Sequence, residues 1–296
     1  MIGLTPTAAV QAYGRGVKIH GTRLSANGYE YDAITAGPED GDLVLLLHGW
    51  PEFADCWTQE MTALAEAGYR AVAVDQRGYS PGARPTDIAD YHVDHLVSDV
   101  IGFADALGAQ RFHLVAHDWG GIVAWAVAGA HPDRLKTLSV LATPHPRALS
   151  KAIAEDEDQS RRVDYVRFFQ RPGGVAEQSL LADDAARLRD AYAGKVPEEL
   201  VEENVRRLSE PGALTATLNW YRAVGEGLGI PAEPSPVPTL YVWGSEDVAL
   251  GPVAAYRTAD FVDGPFRFVE LTGASHWLPE EAPTEVSALI LSHLAG

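Results

Sequence analysis

The stretch Phe112-His113-Leu114-Val115-Ala116-His117-Asp118-Trp119-Gly120-Gly121 decides the fold of this chain. Its apolar beginning predicts a buried strand, the two glycines permit a sharp turn, and the apolar residues that follow predict a helix. In such a strand–turn–helix unit the residue at the tip of the turn is presented beyond the end of the strand, and that residue is Asp118. An aspartate at this place also suits the N-cap of the helix, so the stretch alone leaves a catalytic and a capping interpretation open.

Two later segments favour the catalytic interpretation. The segment Tyr241-Val242-Trp243-Gly244-Ser245-Glu246-Asp247 ends a predicted strand with an acid, and Leu271-Thr272-Gly273-Ala274-Ser275-His276 ends the last predicted strand with a histidine. Nucleophile, acid and histidine follow one another in the order of a hydrolase triad, and the carboxyl ends of parallel strands meet at one edge of a sheet. We therefore predict Asp118, Asp247 and His276 as a triad, with Glu246 as the local alternative to Asp247.

A third loop supplies candidate hydrogen-bond donors. The segment Leu47-His48-Gly49-Trp50-Pro51 follows the predicted strand Leu43–Leu47. In this arrangement the loop contributes one backbone N–H to an oxyanion hole, and the residue after the nucleophile contributes the other. The N–H groups of Trp50 and Trp119 are therefore the predicted donors and substrate contacts. His48 is interpreted as a structural loop residue and not as a second base.

Strand-like and helix-like segments alternate along most of the chain. A predicted hairpin of residues 17–25 and 28–35 turns at Ala26-Asn27, and further strands are predicted at residues 43–47, 71–74, 112–116, 138–142, 240–243 and 266–271. This alternation predicts a mostly parallel eight-stranded sheet with helices on both faces. Between Thr143 and Pro238 the pattern is helical only. We therefore predict a core of residues 1–143 and 236–296, with a helical cap inserted at residues 144–235.

The composition excludes several classes of function. With 23 Lys and Arg against 41 Asp and Glu, the 296-residue chain has a formal net charge of −18, which argues against binding to nucleic acid or to anionic membranes. The first residues, Met1-Ile2-Gly3-Leu4-Thr5-Pro6, do not resemble a secretion signal, and no stretch is apolar for long enough to span a bilayer. The single cysteine, Cys56, is interpreted as a small buried hydrophobe. We expect a cytoplasmic protein without metal or organic cofactor, for which a homodimer stays open.

The segments that carry these residues resemble one known family. His48-Gly49-Trp50-Pro51, Asp75-Gln76-Arg77-Gly78-Tyr79-Ser80, His117-Asp118-Trp119-Gly120-Gly121 and Gly273-Ala274-Ser275-His276-Trp277 are similar to motifs of the α/β-hydrolase superfamily, in its branch of epoxide hydrolases and haloalkane dehalogenases. The resemblance covers essentially the whole chain, including the position of the cap. It implies the α/β-hydrolase fold and a cis peptide bond between Trp50 and Pro51.

An aspartate in place of a serine changes the expected chemistry. A carboxylate attacks carbonyl carbon poorly, but it displaces a leaving group from saturated carbon and forms an ester. His276, oriented by Asp247, then activates the water that hydrolyses the Asp118 ester. A small-molecule epoxide and water are the reactants that this chemistry favours, and the product is a vicinal diol.

An epoxide oxygen leaves as a basic alkoxide, so it needs an acid nearby, and a tyrosine stays protonated at neutral pH. The segment Val163-Asp164-Tyr165-Val166-Arg167-Phe168-Phe169 and the segment Leu218-Asn219-Trp220-Tyr221-Arg222 resemble the two cap segments of soluble epoxide hydrolases that hold the ring-opening tyrosines. The resemblance thus implies that Tyr165 and Tyr221 polarise the epoxide oxygen. The alternative for each tyrosine is an amphipathic packing role.

Other functions on the same fold stay open. In a haloalkane or haloacid dehalogenase the Trp119 indole would bind the halide, although Trp50 stands where haloalkane dehalogenases commonly have asparagine. A non-catalytic ligand receptor would not need the complete triad, and a serine esterase is disfavoured because no serine occupies the turn. The pocket is predicted to lie between cap and sheet, lined by several of Trp50, Trp119, Trp220 and Trp277.

Overall fold

The computed structural model describes residues 11–13, 16–225, 230 and 232–296. The start of the chain, from which the absence of a secretion signal was inferred, lies outside these residues. Within them, no helix combines the length and the apolar character that a bilayer crossing requires.

The described residues contain a sheet of nine strands in the spatial order β1-β2-β3-β5-β4-β6-β7-β8-β9. The strands are β1 (Gln11–Tyr13), β2 (Val17–Ala26), β3 (Tyr29–Ala36), β4 (Leu43–Leu47), β5 (Arg70–Val74), β6 (Phe112–His117), β7 (Leu135–Leu141), β8 (Thr239–Gly244) and β9 (Phe266–Leu271). Strands β4 to β9 pair in parallel, and β1, β2 and β3 form an antiparallel edge. The eight predicted strands are confirmed, and β1 adds a ninth at the edge.

Several predicted boundaries differ from the structure, most of them by one residue, and the hairpin turn and β7 need correction. The hairpin turns at Asn27-Gly28 and not at Ala26-Asn27, since β2 continues through Ala26. Both turn residues have positive φ, 51° and 83°, which is the backbone of the tight hairpin turn that Asn-Gly favours. Strand β7 begins at Leu135 and ends at Leu141, because Ala142 has a φ of 64° and leaves the extended conformation.

The described residues form twelve helical segments, one of which, at residues 175–190, is interrupted by a kink of non-helical backbone at residues 182–185. They are α1 (Thr58–Glu66), α2 (Val93–Ala106), α3 (Trp119–Ala130), α4 (Pro146–Glu155), α5 (Glu157–Arg162), α6 (Asp164–Phe169), α7 (Val175–Asp190), α8 (Glu198–Leu208), α9 (Ala213–Ala223), α10 (Pro252–Arg257), α11 (Leu278–Glu281) and α12 (Pro283–Leu294). Helices α1 and α12 pack together, as do α2 and α3. The six helices α4 to α9 follow one another between β7 and β8 with no strand among the described residues of this segment, as the sequence predicts.

The sheet is covered on both faces. In β6, Leu114 belongs to the apolar cluster that includes Val123 of α3 and Phe103 of α2, whereas Val115 belongs to the cluster that includes Met61 of α1 and Ile290 of α12. A strand that buries both faces reads as a continuous apolar run, and β4, Leu-Val-Leu-Leu-Leu, is buried at every position. The central parallel strands are therefore rigid, and the loops at their carboxyl ends are held in fixed relative positions.

Candidate active site

Asp118 stands at a sharp turn between β6 and α3. Its backbone has φ 49° and ψ −122°, a strained conformation for a residue with a side chain. Two glycines make room for the turn. A Cβ on Gly49 would lie 2.2 Å from the Asp118 Cβ, and a Cβ on Gly120 would lie 2.3 Å from the Leu47 carbonyl oxygen. The turn thus presents the Asp118 carboxylate at the edge of the sheet.

The three residues predicted as a triad lie together. His276 places its Nε2 3.5 Å from the Asp118 Oδ2 and its Nδ1 2.8 Å from the Asp247 Oδ2. The backbone N–H groups of Ala249 and Leu250 each donate to the Asp247 Oδ1 at 2.8 Å, which fixes the orientation of the buried carboxylate. It is Asp247 that contacts the histidine, whereas its neighbour Glu246 is exposed.

One of the two predicted oxyanion-hole donors contacts the Asp118 carboxylate directly, since the Trp50 N–H donates to the Asp118 Oδ1 at 2.7 Å. The Trp119 N–H follows Asp118 in the chain and helps to lower the pKa of its carboxyl. The Trp50-Pro51 peptide bond is cis, as the resemblance implied. His48 is fully buried, with its Nδ1 2.9 Å from the Gly49 carbonyl oxygen and its Nε2 accepting the Gln76 N–H at 3.2 Å. These contacts agree with a structural role for His48 in the loop.

A cavity of about 380 Å³ opens onto the triad. Its wall is formed mainly by aromatic side chains of the core loops and of α6 and α9, together with two arginines; the lining residues are Trp50, Asp118, Arg162, Tyr165, Phe168, Phe169, Leu180, Arg187, Ala191, Tyr221, Val248, Ala249, His276 and Trp277. Of the four tryptophans predicted at the pocket, Trp50 and Trp277 line it. Trp119 and Trp220 lie behind it, and the Trp220 indole N–H donates to the Arg77 carbonyl oxygen at 2.8 Å.

Tyr165 and Tyr221 line the same cavity as Asp118, on the helical side. Their ring centroids are 6.1 Å apart, and the Tyr221 ring packs edge-on against Trp119 at 5.0 Å. Burial, and next to it the nearby negative groups, raise the pKa of both phenols above the ordinary value, so both keep their protons.

The charged groups of the predicted triad shift the pKa values of Asp118 and His276. Burial favours the neutral acid at Asp118, but the hydrogen bond and charge of His276 outweigh it, so the pKa of Asp118 is lowered. Burial also favours a neutral imidazole, but the Asp247 carboxylate and the hydrogen bond to Asp118 raise the pKa of His276 well above its usual value. In the unreacted site Asp118 is therefore a carboxylate that faces the imidazolium of His276.

A second row of polar residues lies beneath the triad. The His117 Nε2 is 2.8 Å from the His276 carbonyl oxygen, and the His117 Nδ1 is 3.4 Å from the Glu52 Oε2, with both side chains fully buried. Sequence reasoning did not assign these contacts. Both residues lie in the motifs around Trp50 and Asp118, but the motifs carry no signal that would pair them.

One cluster in the described residues offers ligand atoms for a metal ion. Glu52, Cys56 and Glu280 place ligand atoms within 4.8 Å of one another. Burial raises the pKa of the Cys56 thiol and of the Glu280 carboxyl, and the charge of Glu52 raises both further. Both groups therefore hold protons, which a metal ion would have to displace.

Three comparisons bear on the family of this chain. A model of the alpha/beta hydrolase fold family matches residues 42–283. The chain is 37% identical over 279 residues to the AB hydrolase superfamily protein YfhM of Bacillus subtilis, covering 92% of this chain and 96% of that one. It is 32% identical over 311 residues to epoxide hydrolase A of Mycobacterium tuberculosis, with the same coverage, 92% and 96%. The crystal structure of epoxide hydrolase A from Mycobacterium thermoresistibile superimposes with a TM-score of 0.80, at 28% identity and 99% coverage of both chains.

Proposed function

We propose that this chain, which belongs to the alpha/beta hydrolase family and within it to the epoxide hydrolases, converts a small-molecule epoxide and water into a vicinal diol. The observation that carries the proposal is the position of the Asp118 carboxylate, which shares an aromatic cavity with the hydroxyl-bearing Tyr165 and Tyr221. In the proposed arrangement the helices of residues 144–235 form a cap, which supplies both tyrosines.

In the first step, an oxygen of the Asp118 carboxylate attacks one epoxide carbon from the side opposite the ring oxygen. A carbon–oxygen bond to Asp118 forms as the ring carbon–oxygen bond breaks. The departing oxygen accepts a proton from Tyr165 or Tyr221, whose raised pKa values keep that proton available. The product of this step is a hydroxyalkyl ester of Asp118 and a phenolate.

In the second step, His276 removes a proton from water, and the resulting hydroxide attacks the acyl carbon of the Asp118 ester. The Trp50 N–H, which already donates to this carboxyl, and the Trp119 N–H stabilise the tetrahedral oxyanion. Collapse releases the diol, whose departing oxygen takes the proton of the Asp118 carboxyl, and regenerates the Asp118 carboxylate. The proton taken from water stays on His276 and restores the imidazolium of the unreacted site. One water is consumed for each epoxide.

Ester formation itself prepares His276 to act as the base. In the unreacted site the raised pKa of His276 keeps the imidazole protonated. The ester removes the Asp118 charge and so removes one cause of that rise. The pKa of His276 then falls, and the imidazolium gives its proton to the phenolate, which restores the neutral tyrosine. The neutral imidazole can then accept a proton from water.

The halide alternative loses one of its donors. The Trp119 indole does not line the cavity, so it does not face a halide bound there. The Trp50 indole N–H has no hydrogen-bond partner among the described residues, so a single free donor stays available to a halide. The cavity thus offers two phenols that can protonate a departing oxygen but only one free indole N–H for a halide, which favours an oxygen leaving group.

A single turnover in heavy-oxygen water tests the proposal. With enzyme in excess over an aryl epoxide, the diol should contain ordinary oxygen taken from Asp118, and mass spectrometry of the peptide that contains Asp118 should find the label there. Label in the diol on the first turnover would contradict the ester mechanism. Faster release of halide from haloalkanes than opening of any epoxide would favour the dehalogenase instead.

A further inference from the structure

Two guanidinium groups line the cavity, Arg162 on α5 and Arg187 on α7. Neither takes part in the bond-making steps. Apart from Asp118, the described lining contains no carboxylate, and the remaining wall is mostly aromatic and aliphatic. The protein groups that each guanidinium contacts decide which of its N–H donors remain for a bound molecule.

The charge of Arg162 is already neutralised within the protein. Its Nε lies 2.6 Å from the Asp158 Oδ2, one turn earlier on the same helix, and its Nη1 donates to the Asp247 carbonyl oxygen at 2.6 Å. Arg162 thus connects the helical segment to the loop that carries the triad acid. It is a structural contact that happens to reach the cavity.

Arg187 differs because its partner is neutral. Its Nη1 donates to the Ser179 hydroxyl at 2.5 Å, and no ion pair joins it to a carboxylate in the described part of the chain. Arg189, two residues later on the same helix, does form ion pairs, with Asp184 and Glu202. The Arg187 side chain is exposed at the rim of the cavity, so its unpaired donors are accessible to a molecule that enters.

We infer that the substrate carries an anionic group, a carboxylate in the simplest case, on an apolar or aromatic body, and that Arg187 binds this group at the rim of the cavity. This inference rests on the proposed function, because Arg187 and Asp118 line one cavity and would hold opposite ends of one molecule. The formal charge of −18 repels an anion from the protein as a whole. The guanidinium at the rim makes the local electrostatic potential positive, and its two parallel N–H donors match the two oxygens of a carboxylate.

The experiment compares substrates that differ only in charge. Aryl epoxides with a carboxylate at the far end, and their neutral carboxamide isosteres, are prepared with alkyl spacers of increasing length. The readout is the ratio of kcat/KM for the carboxylate to kcat/KM for the carboxamide. In the parent this ratio should exceed one for at least one spacer length, and it should fall as salt screens the contact. Arg187→Gln should lower the ratio about two- to tenfold, the range expected for a solvent-exposed ion pair or one slightly shielded.

Two further variants make the result decisive. Arg187→Lys should keep most of the preference, because it keeps the positive charge. Arg161→Gln, a change of an exposed arginine on α5 that does not line the cavity, should leave the ratio at the parent value. An unchanged ratio in Arg187→Gln at every spacer length, or a lysine variant as poor as the glutamine variant, would overturn the inference. Failure of the parent to open even the carboxamides would instead contradict the proposed function.

Discussion

At the scale of single residues, the proton affinity of His276 depends on two carboxylates that do not persist together through the cycle. Asp247 is buried, and two backbone N–H groups fix its carboxyl. In the proposed mechanism Asp118 loses its charge when the ester forms. The same histidine can therefore be an imidazolium that pairs with the nucleophile before the reaction and a neutral base after it, without any change of conformation.

Asp118→Asn imitates the loss of charge that ester formation causes. We expect the pKa of His276 in this variant to lie about 1–3 pH units below that of the parent, the usual effect of one adjacent charge. The sign follows from the cause, because a carboxylate stabilises the imidazolium and an amide does not. Titration of the histidine ring carbons by NMR measures both values. Glu246→Gln, which removes a charge from the exposed neighbour of Asp247, should leave the pKa of His276 nearly unchanged.

The pH dependence of ester hydrolysis follows from the same shift. Hydrolysis of the preformed ester should become faster as the pH rises and should level off above the lowered pKa of His276, because only the neutral imidazole is a base. Equal pKa values of His276 in the parent and in Asp118→Asn would mean that Asp118 does not hold the imidazolium. The proposed change of role between the two steps would then be wrong.

At the scale of elements, the helical segment is joined to the core by a buried ion pair. Arg207 on α8 bonds to the Asp75 Oδ2 at the end of β5, lies 3.4 Å from the Asp55 Oδ2, and stacks over the Phe53 ring at 3.7 Å. The other oxygen of Asp75 accepts the Ala54 N–H at 2.8 Å. The helices are thus tied to the loop that follows β4, the loop that also presents the Trp50 N–H.

Arg207→Met keeps much of the side-chain volume but leaves the Asp75 carboxylate buried without its charge partner. We expect a loss of about 3–5 kcal/mol in the free energy of unfolding, the usual cost of removing one partner of a buried pair. Arg206→Met is the matched control, because Arg206 pairs with Glu203 on the surface and should cost less than about 1 kcal/mol. Urea unfolding measures both. Adding Asp75→Asn to Arg207→Met should recover part of the loss, and equal losses in the two single variants would contradict a buried ion pair.

The same elements indicate what the sequence could predict. The predicted bounds of β4 and β9 agree with the structure. Both strands have local signals in the sequence, since β4 is a continuous apolar run and β9 directly precedes the loop that carries the histidine. The proximity of Asp118, Asp247 and His276 could be predicted because parallel strands bring their carboxyl ends together, and their catalytic roles stay predictions. Arg187 and the pairing of Glu52 with His117 were not found, since both depend on how distant segments pack, and no periodicity or spacing encodes that.

At the scale of the whole molecule, acidic residues outnumber basic ones by 18, and the isoelectric point is about 4.8. Most of the ion pairs lie on the surface, as between Arg167 and Asp164 or between Arg161 and Glu157, and each such pair contributes little to stability. The excess of negative charge instead acts over the whole surface and opposes the compact state. Salt therefore has two opposite effects, since it weakens the surface ion pairs and also screens the net repulsion.

At about pH 8, where the net charge is large, we expect the screening of the net repulsion to dominate. Near the isoelectric point the net repulsion has vanished, so we expect the weakening of the surface ion pairs to dominate there. Raising NaCl from about 0.01 M to about 0.1 M shortens the screening length from about 30 Å to about 10 Å, which is less than the width of the molecule. At about pH 8 this should raise Tm by about 2–4 °C, the shift that corresponds to about 1 kcal/mol for a chain of this size. Near pH 4.8 the same salt should leave Tm unchanged or lower it slightly. Differential scanning calorimetry at the two pH values measures the shifts, with a non-ionic solute at equal osmolality as the control. A rise of equal size at both pH values would show that the salt acts through hydration of the surface and not through the net charge.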